Sequence, residues 1–67
     1  MAGNTAVREA RLRAGLSQSA LAYKVGVSRQ TINAIETGDY NPTIRLCISI
    51  CKALDVTLND LFWEEEK

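Results

Sequence analysis

Gln18–Ile35 reads QSALAYKVGVSRQTINAI, and the reading of this stretch decides the fold. Leu21, Ala22 and Val25 recur at helical spacing behind Ser17, a side chain suited to accept the free amides of a helix's first turn. Ser28 opens a second period of the same kind, carried by Ile32 and Ile35. Only Gly26, Val27 and Ser28 stand between the two, and a turn that short makes helices cross steeply, at about 90–120°. Close crossing needs a small residue, which Ala22 supplies, and the turn needs one without a Cβ, which Gly26 supplies. Leu21, Val25, Val27, Ile32 and Ile35 are apolar wherever such a pair must bury an inner face. The spacing predicts a helix-turn-helix over residues 18–37.

The outer face of the second helix follows from the same arithmetic. With Ile32 and Ile35 pointing inward, Arg29, Gln30, Asn33 and Ala34 project within about 90° of straight out. Arg binds guanine O6 and N7 with two hydrogen bonds, and Gln or Asn can grip adenine N6 and N7 in the same manner. No acidic residue interrupts this set, because Glu36 turns about 70° from the inward direction, toward the first helix of the chain.

Working outward, residues 4–14 form a helical segment with Val7, Ala10, Arg11 and Ala14 on one side, closed by Gly15. Gly38 closes the segment that Ser28 opens, and Gly38–Pro42 reads as a loop, since Pro42 disfavours helix at Asn41. Thr43–Leu54 is apolar around most of its circumference. Only Arg45, Ser49 and Lys52 share a polar sector about 60° wide, the pattern of a central, largely buried helix. A last segment begins at Thr57, with Asp60 as an acidic capping-box partner and Leu58, Leu61 and Phe62 as its apolar stripe. No strand pattern, repeat or linker interrupts this sequence, so residues 1–67 are expected to be one all-α domain of five helices.

The chain's 67 residues lie near the lower limit for a core that stabilises itself. No stretch is long and apolar enough to span a bilayer, and no basic-then-apolar start suggests a secretory signal, so a cytoplasmic, nucleoid-associated protein is expected. Cys47 and Cys51 lie four apart with no histidine in the chain, which falls short of a zinc set. As i and i+4 positions of one helix they also strain a disulfide, so both read as small buried hydrophobes. No metal or cofactor is expected, no small-molecule ligand is evident, and nothing resembles a phosphate loop or a catalytic constellation. The formal net charge is zero, but residues 1–33 carry five basic side chains against Glu9 alone, while residues 34–67 are net acidic by four. One basic face and an acidic far side fit that asymmetry.

Residues 7–62 resemble the Cro/CI-type (XRE) helix-turn-helix regulators. Gln18, Leu21, Ala22, Val25, Gly26, Val27, Ile32 and Ile35 match the family pattern, with GLSQ at Gly15–Gln18 and SRQTINAIETGDYNP at Ser28–Pro42 as flanking matches. The resemblance implies a five-helix lambda-repressor-like DNA-binding domain. It gives Ser28, Arg29, Gln30 and Asn33 the base-reading positions. It gives Gln18, Thr31, Tyr40, Asn41 and Lys24 contacts to the DNA backbone, Gln18 also through an amide at a helix N-terminus. Arg11 and Glu36 match a structural ion pair tying the first helix to the third. Ala34 departs from the pattern, since many relatives place a polar residue there.

Relatives of this size dimerise through the final helix, which here points to Leu58, Leu61, Phe62 and Trp63, with Trp63 as an aromatic anchor at the chain end. The acidic run Glu64–Glu66 reads as a solubilising tail turned away from DNA. The expectation is a non-enzymatic regulator that binds double-stranded DNA as a homodimer on a near-palindromic site, more in the manner of a repressor than an activator. The other reading is an antitoxin or protein-interaction adaptor on the same fold, favoured by the neutral charge and the apolar, acidic end.

Overall fold

The computed structural model describes residues 5–61, and the glycine and serine punctuation sets where its helices start and stop. Five helices lie among the described residues, α1 (Thr5–Arg13), α2 (Gln18–Val25), α3 (Arg29–Thr37), α4 (Ile44–Leu54) and α5 (Leu58–Leu61), with no strand among them. Ser17, Ser28 and Thr43 each cap the following helix, their hydroxyls accepting from the amides of Ala20, Thr31 and Leu46. Thr57 and Asp60 form a reciprocal cap at α5: the Asp60 carboxylate accepts from the Thr57 amide at 3.0 Å, and Thr57 Oγ1 accepts from the Asp60 amide. Those bonds hold the Asp60 carboxyl below the usual carboxylate range, because they favour its charged form.

The first four helices share one ending. Gly15, Gly26, Gly38 and Asp55 all take positive φ, and the next residue's amide then donates to the carbonyl five positions back. The pairs are Leu16 to Arg11, Val27 to Ala22, Asp39 to Ala34 and Val56 to Cys51, at 2.9–3.1 Å. This closure satisfies carbonyls the helix leaves free and folds the following side chain back. Leu16, Val27 and Val56 use that return to pack against the core. Sequence punctuation predicted the first three stops. The fourth falls on Asp55, a residue with a Cβ.

The core draws on every helix: Val7 and Ala10, Leu21 and Ala22, Ile32 and Ile35, Ile50, Cys51 and Leu54, and Leu61. Val7, Leu21, Ile32 and Ile50 are fully buried, each contributing about 1.5–3 kcal/mol. α2 lies against both α3 and α4, while α5 packs on α1 and α4. Cys47 and Cys51 are buried free thiols, and desolvation raises both pKa values. The largely buried helix expected over Thr43–Leu54 forms with a wider exposed sector than Arg45, Ser49 and Lys52 alone. α4 buries Cys47, Ile50, Cys51 and Leu54 but leaves Ile44 67% and Ile48 40% exposed. Its neighbours cover one sector, and Ile44 and Ile48, one turn apart, lie outside it.

Candidate nucleic-acid interface

The turn between α2 and α3 fixes how α3 is presented. Gly26 stands at φ 81°, and an added Cβ there would meet nothing within 4 Å, so the backbone conformation itself is what calls for glycine. Ile32 and Ile35 then point into the core, 0% and 2% exposed, and the opposite side of α3 faces solvent. Arg29, Gln30 and Asn33 are exposed on it, as is Ser28 at its start. Ala34 is half-buried, so the departure from a polar residue there costs no exposed hydrogen-bonding group.

Ser28 has a second task. Its Oγ accepts the Thr31 amide at 3.1 Å and shares a hydrogen bond with Thr31 Oγ1 at 3.0 Å. The hydroxyl is therefore held in the cap, and Thr31 is half-buried beside it. Lys24, Tyr40 and Asn41 are all exposed, Lys24 in the last turn of α2 and the other two in the loop after α3. Tyr23, 88% exposed on α2, was given no role by sequence reading, although its spacing opposite Leu21, Ala22 and Val25 signals a solvent-facing aromatic.

Behind this face lies an ion pair. Arg11 Nε donates to Glu36 Oε2 at 2.8 Å and Nη2 to Oε1 at 3.1 Å, a two-point contact between side chains only 8% and 3% exposed. Arg11 Nη1 also donates to the Leu16 carbonyl at 2.9 Å, tying α1 to the turn before α2. Gln18 Nε2 adds two donations, to Glu36 Oε1 and to Asn33 Oδ1, both at 3.1 Å. Its side-chain amide is thus turned inward onto α3. The Ala20 amide is taken by the Ser17 cap, which leaves the Gln18 and Ser19 amides as those at this end with no acceptor within the helix, the kind of groups that suit an anion.

Leu61 is buried in the core and Leu58 packs half-buried against it. Phe62 and Trp63 lie outside the described residues. No helix among the described residues is long and apolar enough to cross a membrane.

Comparison with known proteins bears on this arrangement as a whole. The helix-turn-helix family model matches residues 7–61. The HTH-type transcriptional regulator YgzD of Bacillus subtilis is 51% identical over 61 residues, covering 91% of this chain and 92% of its own. Among solved structures, the restriction-modification controller protein C.AhdI from Aeromonas hydrophila superposes with a TM-score of 0.80 at 33% identity, over 85% of this chain and 83% of that one. SinR, solved in complex with SinI, gives a TM-score of 0.80 at 32% identity, over 87% of this chain and 57% of that one.

Proposed function

The chain belongs to the helix-turn-helix family of DNA-binding transcriptional regulators, with a lambda-repressor-like five-helix fold, and on that premise we propose that it is a repressor reading a near-palindromic operator as a homodimer. One observation carries the reading. Arg29, Gln30 and Asn33 form an exposed polar face with no acid among them, on a helix whose other side is locked in the core. Such a helix enters the major groove with its first turn against base edges. Arg29 takes a guanine and Gln30 and Asn33 read neighbouring bases, with Ser28 at the lip of the groove. The α2 N-terminus at Gln18, together with Lys24, Thr31, Tyr40 and Asn41, meets the sugar-phosphate backbone.

A second copy related by a two-fold axis places another α3 one helical turn away, about 34 Å. The dimer contact is assigned to Leu58, Leu61, Phe62 and Trp63, of which Leu58 is half-buried and Leu61 buried within the protomer. Ile44 and Ile48, exposed on α4 outside the sector its neighbours cover, offer a further apolar patch. Operator occupancy then keeps RNA polymerase from the promoter.

Selection from a random duplex pool tests this reading. The expected outcome is two inverted half-sites with centres about 10 base pairs apart. Repeating the selection with Arg29→Ala should relax one base pair per half-site and cost about 1–3 kcal/mol on the selected operator. A pool that yields no motif would instead favour the adaptor reading.

A further inference from the structure

Gln18 connects the buried ion pair to the face that meets DNA, and the chemistry of that connection leaves one orientation for each amide. Both Glu36 oxygens are taken up by Arg11, and Oε1 also receives Gln18. A carboxylate accepts and does not donate, so the group of Gln18 facing Glu36 must be its NH2. The same nitrogen reaches Asn33 at 3.1 Å, and since it can only donate, Asn33 must turn its Oδ1 toward it. The Asn33 amide nitrogen is thereby aimed away from the protein, from an exposed position on α3.

We propose that Gln18 is a specificity-positioning residue: through the relay Arg11–Glu36–Gln18–Asn33 it makes Asn33 a hydrogen-bond donor toward DNA, directing it to guanine instead of adenine. The proposal rests on the reading of α3 as the base-reading helix. An unconstrained Asn grips adenine by offering an acceptor to N6 and a donor to N7. Here Oδ1 faces Gln18, so that two-sided grip is lost. The outward NH2 suits guanine, whose N7 and O6 both accept, whereas adenine offers it N7 alone beside a repelling N6 donor and cytosine offers only its N4 donor. The orientation is enforced from the rear. The Arg11–Glu36 contact is buried, the Gln18–Glu36 bond is partly buried, and only the last link, Gln18–Asn33, lies in solvent.

The full chain, wild type and Gln18→Met, is put through the same duplex selection, with Asn33→Ala marking the base pair that Asn33 reads. Met keeps the length of Gln18 and removes the donor. The wild type is expected to hold guanine over adenine at the marked base pair by at least about 5-fold, the lower end for one good base contact. Gln18→Met should bring the two within about 2-fold of each other or invert the order, while base pairs not marked by Asn33→Ala keep their preference. Unchanged preference at the marked pair in Gln18→Met, or an equal loss of affinity on all sequences, overturns the proposal and leaves Gln18 a backbone contact. If Asn33→Ala marks no base pair at all, the base-reading role of α3 fails first, and the positioning role with it. A measurement on the free wild-type protein needs no variant to fold. The Gln18 side-chain amide protons should exchange with water about 10-fold more slowly than those of Asn33, and equal rates contradict the relay.

Discussion

With 8% of its side chain exposed, the Arg11 guanidinium has almost no water to turn to if its partner is lost, and Glu36 at 3% has less. Removing one member of such a pair leaves a buried charge uncompensated, typically at about 3–5 kcal/mol. A 67-residue domain at about 0.05–0.15 kcal/mol per residue has about 3–10 kcal/mol in total. Arg11→Ala should therefore lower the urea midpoint by about half or more, by circular dichroism, at neutral pH. The paired replacement Arg11→Met with Glu36→Leu is expected to recover a part of the stability. It restores an apolar fit, but the Leu16 carbonyl loses the Arg11 donor and Gln18 loses one acceptor. A single substitution with under about 1 kcal/mol of effect would show that the pair is better solvated than its burial implies. The facing of Arg11 and Glu36 could be read from helical spacing, whereas the link through Gln18 to Asn33 could not. That link depends on how closely α2 and α3 approach, a tertiary distance with no signature in either helix alone.

At the scale of the helix, the ends were more legible than the faces. Ser17, Ser28, Gly26 and Gly38 announce their roles because a cap is settled within a few residues of chain. Asp55 does not: it takes φ 60° at the end of α4, and the Val56 amide closes onto Cys51 as it does after the glycines. A residue with a Cβ tolerates that region poorly, Asp less so than most. Asp55 is exposed, so replacing it removes no packing. Asp55→Gly is expected to stabilise the domain by about 0.5–1 kcal/mol, part of the relief being offset by glycine's freedom in the unfolded chain. Calorimetry should register a melting temperature higher by about 2–6 °C, and a lower one would mean the Asp55 carboxylate does something the backbone does not reveal. The faces were harder because burial belongs to neighbours. α4 is apolar nearly all round, yet α2 and α5 cover only part of it, and Ile44 and Ile48 remain outside. A hydrophobic pattern states what a helix can bury and not what arrives to bury it.

For the molecule as a whole, charge is the property that misleads most. A net charge of zero gives no sign of a polyanionic partner, and the proposed base-reading set Ser28, Arg29, Gln30 and Asn33 contains one cation. Attraction to DNA must therefore come from where the charges sit, the five basic residues of positions 1–33 against the acidic remainder. Arg8, Arg13, Lys24 and Arg29 are all exposed, while Arg11 is spent in its ion pair. If each protomer neutralises about three or four phosphates, a dimer on a full operator should show log affinity falling with log salt at a slope of about −5 to −7. A half-site duplex, which holds one protomer, should give about −3 by the same relation. Titrations by fluorescence anisotropy between about 50 and 200 mM salt separate the two, since the affinity loss compounds over that range. Equal slopes on full and half sites would mean that one protomer makes all the phosphate contacts, and the two-fold assembly would fall with that result. A slope near zero on both would leave the exposed basic residues of α1 and α2 without a part in binding.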